Sequence, residues 1–179
     1  MSELIEIVLG EFTFLGFGCM SKKLKILIVG PQKAAKSTLA NVLGEVQTSN
    51  ELTAPYFPTL GVRIVEAQIE GINAEFWEIS GHVSFKQYWS VLADKANGSI
   101  FVFADGQADD LNAFIHSGVF PQKHALVIQT CTRSREPEVP KNLPFTPLRI
   151  FDDDVLAFKA VVHQWIRNYY TRNYFCFFY

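Results

Sequence analysis

Apolar residues fall into two rhythms along the chain. Leu24 to Val29 is a short apolar run that stops at Gly30-Pro31, and Leu39, Val42 and Leu43 then recur at helical spacing up to Gly44. This order predicts a strand, a turn and a helix. Residues 45–61, with Pro55 and Pro58, follow no period and read as a functional or mobile loop. Val62, Ile64, Val65 and Ile69, then Ile72, Phe76, Trp77 and Ile79, predict strands over 62–69 and 72–79 that Glu70-Gly71 joins as an antiparallel hairpin. Phe85, Tyr88, Trp89 and Leu92 stand at i, i+3, i+4 and i+7, the stripe of an amphipathic helix. Residues 99–104 and Ala125 to Gln129 are runs suited to buried parallel strands. Between them lies a short helix with Asp109 and Asp110 in its first turn and Leu111, Phe114 and Ile115 facing inward. Residues 131–146 hold three prolines and read as loop, and 147–151 as a last short strand. Asp152, Asp153 and Asp154 favour the positive end of a final helix whose stripe is Val155, Phe158, Val162, Trp165, Ile166 and Tyr169. The alternation predicts an α/β fold of three layers, with a mostly parallel sheet, one antiparallel hairpin strand and ligands beyond the carboxyl ends of the strands.

Composition narrows this picture. At 179 residues the chain is long enough for one domain with a full core, and a net charge of −2 proposes neither nucleic acid nor a membrane surface as the main partner. Cys19, Cys131 and Cys176 are scattered and odd in number, which fits a reducing compartment better than a disulfide frame or zinc site. Glu3, Glu6 and Glu11 interrupt the apolar first nineteen residues, so neither a signal peptide nor a membrane span is expected there. Met20-Ser21-Lys22-Lys23 resembles a natural start. The expected organisation is an extension over 1–19, a main domain over 20–170 and an aromatic tail over 171–179. The ending Cys176-Phe177-Phe178-Tyr179 is atypical for prenylation and lacks a polybasic neighbour, so no stable membrane anchor is expected.

The candidate chemistry lies where the first strand turns into the first helix. Gly30-Pro31-Gln32-Lys33-Ala34-Ala35-Lys36-Ser37 supplies the Gly-x4-Gly-Lys-Ser/Thr phosphate-loop pattern in every position but one, with Ala35 in place of the second glycine. Such a loop presents backbone N–H groups and a helix dipole to phosphates. Lys36 is then expected on the β- and γ-phosphates and the Ser37 hydroxyl on Mg²⁺. Ala35 narrows the allowed backbone, although alanine is the smallest side chain that could replace the glycine. Thr59 in Pro58-Thr59-Leu60-Gly61 is placed to offer a hydroxyl to Mg²⁺ and an N–H to a γ-phosphate.

These segments, with Trp77-Glu78-Ile79-Ser80-Gly81-His82 and Gln129-Thr130-Cys131-Thr132, resemble the ordered motifs of Ras-type small GTPases over about residues 20–170. Residues 25–31, 35–41 and 58–64 are similar to the Rab-like small GTPase of intraflagellar transport complex B. That resemblance implies a P-loop NTPase fold binding GTP or GDP with Mg²⁺. It also implies a monomer when isolated, a place in cytoplasm and cilium or flagellum, and docking on coiled-coil subunits of that complex through the switch regions. On the matching positions it implies nucleotide contacts from Gly30, Gln32, Lys33, Ala34, Ala35, Lys36, Ser37, Thr38, Thr59, Gly81, Thr130 and Cys131, and metal contacts from Ser37, Thr59 and, through water, Glu78.

The departures point toward slow turnover. Glu78 stands where an Asp is usual, with a reach one methylene longer. His82 stands where a Gln would orient the attacking water, and is the candidate catalytic group. Gln32 brings a long side chain near the γ-phosphate where small residues favour turnover. The guanine-reading Asn-Lys-x-Asp is replaced by Gln129-Thr130-Cys131-Thr132, with no carboxylate. Base selectivity is then either relaxed or served by another acceptor, for which Asp152 or Asp153 is nearest by topology. Helix capping is the simpler role for that acidic run. The Phe85–Leu92 stripe is expected to be part core and part partner surface, and His116, His124 and His163 lack ligand spacing. Two other functions remain: a docking scaffold whose nucleotide is dispensable, and an ATP-using P-loop kinase, which lacks an Arg-rich lid.

Overall fold

The computed structural model describes residues 23–45, 58–132, 143–144, 146–151 and 154–174. The expectations for residues 1–19, most of the 45–61 and 131–146 loops, Asp152, Asp153 and the end of the tail lie outside these. Six strands form one sheet in the order β2 (Val62–Ile69), β3 (Ile72–Ile79), β1 (Leu24–Val29), β4 (Gly98–Ala104), β5 (Ala125–Cys131) and β6 (Leu148–Phe151). Every neighbouring pair is parallel except β2 and β3, the expected hairpin. Its register sets Arg63 opposite Glu78.

The central strand explains the unbroken apolar run at its position in the sequence. β1 has neighbours on both edges, and helices cover both of its faces. Leu24, Ile26 and Ile28 pack toward α1 (Lys36–Leu43) and α4 (Val155–Tyr174), meeting Leu39, Leu43, Phe158, Val162 and Ile166. Leu27 and Val29 face the other layer, with Leu111, Phe114 and Ile115 of α3 (Ala108–Ile115). The three-layer, mostly parallel architecture is therefore as the alternation predicts. Asp154 caps α4 by accepting from the Ala157 N–H at 3.0 Å, and among the described residues no helix is long and apolar enough to cross a membrane.

One element differs. Residues 85–92 do not form a single amphipathic α-helix: a 3-10 helix over Val83–Tyr88 buries none of its residues, and a short α-helix, α2 (Trp89–Ala93), follows. Phe85 and Tyr88, three positions apart, share a face in either helix type, so this part of the stripe cannot tell them apart. Tyr88 is exposed, whereas Trp89 is buried, stacked on Phe114 at 4.6 Å and tilted against Phe120 at 5.2 Å between ring centroids. The stripe divides there into surface and core.

Candidate nucleotide-binding site

The loop between β1 and α1 is shaped by three backbone constraints. Gly30 has φ +148° and lies so close to β4 that a Cβ would meet the Val102 carbonyl oxygen at 1.9 Å. Lys33 and Ala35 both sit at φ 60°, the left-handed conformation used in anion-binding turns. Ala35 thus holds the backbone that the missing glycine would adopt freely, at a cost of about 1–2 kcal/mol for an L-residue.

Lys36 is buried and donates from Nζ to the Pro31 carbonyl at 2.5 Å. Burial lowers its pKa to about 8, against the opposing pull of Glu78. Beside it three oxygens converge. Ser37 Oγ and Thr59 Oγ1 donate to Glu78 Oε1 at 2.5 and 2.8 Å and lie 3.2 Å from each other. Glu78 is fully buried, and its second oxygen accepts from Arg63 Nε at 2.8 Å. These residues fit a divalent cation, because hydroxyls sharing an octahedral ion with bonds near 2.1 Å stand about 3 Å apart. Residues 32–38, Thr59, Glu78 and Gly81 line one open cleft of about 810 Å³. Gly81 presses on the phosphate loop, and a Cβ there would lie 2.5 Å from Pro31 C and 2.6 Å from Gln32 N.

The other expected residues are placed differently. His82 is exposed, and its Nδ1 accepts from the Ser84 N–H at 3.2 Å, capping the 3-10 helix. Thr130 and Cys131 do not line the cleft. The Thr130 hydroxyl donates to the Phe103 carbonyl at 3.3 Å, and Cys131 Sγ lies 3.7 Å from Asp105 Oδ1. Among the described residues a carboxylate at this end is Asp105, which also accepts from Gln129 Nε2 at 2.7 Å. His116 is exposed, and His124 meets Tyr169 edge to face. The described residues contain no cluster of three His, Cys, Asp or Glu fit for a metal.

Three side chains at the site are missed by motif reading. Arg63 Nη1 donates to Asn41 Oδ1 at 2.7 Å and Nη2 to the Ser37 carbonyl at 2.9 Å. Gln107 donates from Nε2 to the Gln32 carbonyl at 2.8 Å and accepts from the Ala104 N–H at 3.0 Å, bracing the phosphate loop against the end of β4. The one available signal was a charge directly across the hairpin from Glu78, at Arg63.

The model of the ADP-ribosylation factor family matches residues 13–113, more than half of the chain. The chain belongs to that family. Among the relatives of this ADP-ribosylation factor family member is the Chlamydomonas reinhardtii protein named intraflagellar transport protein 22. It is 33% identical over 116 residues, which are 60% of this chain and 58% of the relative. The Homo sapiens homolog of that name is 39% identical over 90 residues, 45% of this chain and 46% of the relative. The chain thus spans about half the length of the curated relatives it matches. The GTP-bound crystal structure titled T. brucei IFT22/74/81 contains a chain similar to this one, with a TM-score of 0.61 and 28% identity over 82% of this chain and 96% of that one. The GTP-bound T. brucei IFT22 structure gives a TM-score of 0.50 and 26% identity, over 80% and 95%. The kinship expected from residues 25–64 is borne out by these relatives.

Proposed function

We propose that this family member is a small GTPase-like subunit of the intraflagellar transport machinery, acting in the cilium or flagellum, that holds GTP or GDP with Mg²⁺ and hydrolyses it slowly. The observation that carries the reading is the convergence of Ser37, Thr59 and Glu78 beside a buried Lys36 on a left-handed phosphate loop. In this role Lys36 exchanges the Pro31 carbonyl for phosphate oxygens, and the loop backbone from Gly30 to Thr38 cradles the phosphates. Ser37 and Thr59 are the ligands of the ion, with Glu78 supporting it. A bound Mg²⁺ supplies neutralisation of phosphate charge. Gly81, with no side chain, brings its segment against the loop where a γ-phosphate is sensed.

Slow turnover follows from His82, whose exposed ring already caps the 3-10 helix, and from Gln32 at the loop. The partners proposed are coiled-coil subunits of complex B, the relative's structure being titled with two further components. Leu60, which lines the cleft, and Val83, Tyr88 and Val91 in the segment after Gly81 are exposed, and they suit docking through the switch regions.

The test is release of a fluorescent GTP analogue from the purified chain, with Mg²⁺ and after EDTA, followed by single-turnover hydrolysis. Retention with Mg²⁺, fast release with EDTA and turnover no faster than Ras-type rates are expected. A chain that retains no nucleotide in Mg²⁺ would overturn the proposal.

A further inference from the structure

Glu78 is a buried carboxylate with both oxygens in use. Burying such a charge is costly unless it is paired and hydrogen-bonded. One oxygen receives the Ser37 and Thr59 hydroxyls, and the other receives Arg63 Nε. The hairpin register brings Arg63 and Glu78 to directly opposed positions. The rest of the guanidinium is used as well: one terminal nitrogen reaches the Asn41 side chain and the other the Ser37 carbonyl. A single fork therefore spans β2, β3 and α1, orienting both the carboxylate and the residue that carries one of the converging hydroxyls.

We infer that Arg63 is the positioning residue of the metal end: its fork holds Glu78 with one oxygen toward Ser37 and Thr59, so that the chain's hold on Mg²⁺ depends on it. This rests on the nucleotide-and-metal reading above. Arg63 also explains how a Glu replaces the usual Asp, because it fixes the longer side chain at its far oxygen. A purely structural ion pair would not need the Ser37 carbonyl. Because Glu78 is buried, removing Arg63 would also leave a carboxylate oxygen without its partner, so stability has to be read beside the metal requirement. The Arg63 charge opposes a nearby cation while its geometry favours one, and the two effects separate experimentally. Lysine keeps the charge but cannot reproduce the planar three-way fork.

The experiment measures release of a fluorescent GTP analogue across a Mg²⁺ titration and in EDTA, for wild type, Arg63→Ala, Arg63→Lys and Asn41→Ala. Groups that orient a metal ligand typically change metal affinity by about 10–100-fold. Both Arg63 variants are expected to raise the half-saturating Mg²⁺ concentration by about that factor, and Asn41→Ala by less. Release in EDTA should stay within about twofold of wild type. An unchanged or lower Mg²⁺ requirement in Arg63→Ala, a wild-type requirement in Arg63→Lys, or an equal loss with and without metal would each overturn the proposal. Thermal unfolding checks each variant, and should Arg63→Ala fail to fold, Arg63→Lys and Asn41→Ala carry the same test. A wild-type chain that retains nucleotide equally with Mg²⁺ and EDTA would instead remove the metal reading itself.

Discussion

The cleft and the far ends of β4 and β5 are built to different standards. At the phosphate end, a buried lysine, two hydroxyls and a buried carboxylate lie within hydrogen-bond distance of a partner, and Arg63 and Gln107 brace them from outside. At the far ends of β4 and β5, the polar groups of Gln129, Thr130 and Cys131 meet Asp105 and Phe103 inside the chain. The first arrangement is prepared for a ligand that carries charge, whereas the second is largely occupied with itself. Binding energy is therefore expected to come mainly from the phosphates, with the base contributing modestly.

The strongest way to break this contrast is Lys36→Ala. Losing a buried charged partner costs about 3 kcal/mol, so nucleotide affinity should fall by roughly a hundredfold in a fluorescence titration. A tenfold or smaller loss would mean that the base end holds more than its geometry suggests. Asp105→Ala tests the other end. Removing the acceptor of a buried amide should lower unfolding free energy by about 1–3 kcal/mol while moving nucleotide affinity less. Should the wild-type chain discriminate GTP from ATP, loss of that discrimination in this variant would instead identify Asp105 as the base reader.

A smaller effect comes from pH. Folded Lys36 titrates near 8 rather than near 10.5 because it is buried. Between those values the unfolded chain binds more protons, so this group makes the nucleotide-free fold more stable as pH rises through the window. Bound phosphates favour the charged ammonium, so affinity should instead fall above pH 8, by roughly fivefold between pH 8 and 9. A flat profile would place Lys36 away from the phosphates. The smallest change expected is in Ala35→Gly. It relieves a left-handed alanine but frees the unfolded chain, leaving a net gain of about 0.5–1 kcal/mol in thermal or denaturant unfolding.

The phosphate end was legible in the sequence because its chemistry is contiguous: a strand, a six-residue loop and a helix announce one another. The sheet was legible for a similar reason, since buried strands and the Glu70-Gly71 turn leave local signatures. What was not legible lies in contacts between distant residues. Arg63 meets Asn41 and Ser37 across 22 and 26 positions, and Gln107 meets Gln32 across 75. No local period marks such pairs. Asp105 was hidden because it follows β4 while its partners lie on β5, and sheet pairing alone brings them together. The 3-10 helix was missed because its apolar spacing is shared with an α-helix and only burial divides the two.

That division gives the segment after β3 a mechanical character. Gly81 at one end has no room for even a methyl group against the phosphate loop, and Trp89 at the other is clamped between aromatic rings. Between them run seven residues, His82 to Tyr88, none of which is buried. A rearrangement prompted at the loop would swing a tether fixed at both ends, and its arc would be spent sideways. The exposed residues midway along it, Ser84, Lys86 and Gln87, would travel farthest, and Trp89 would serve as the pivot.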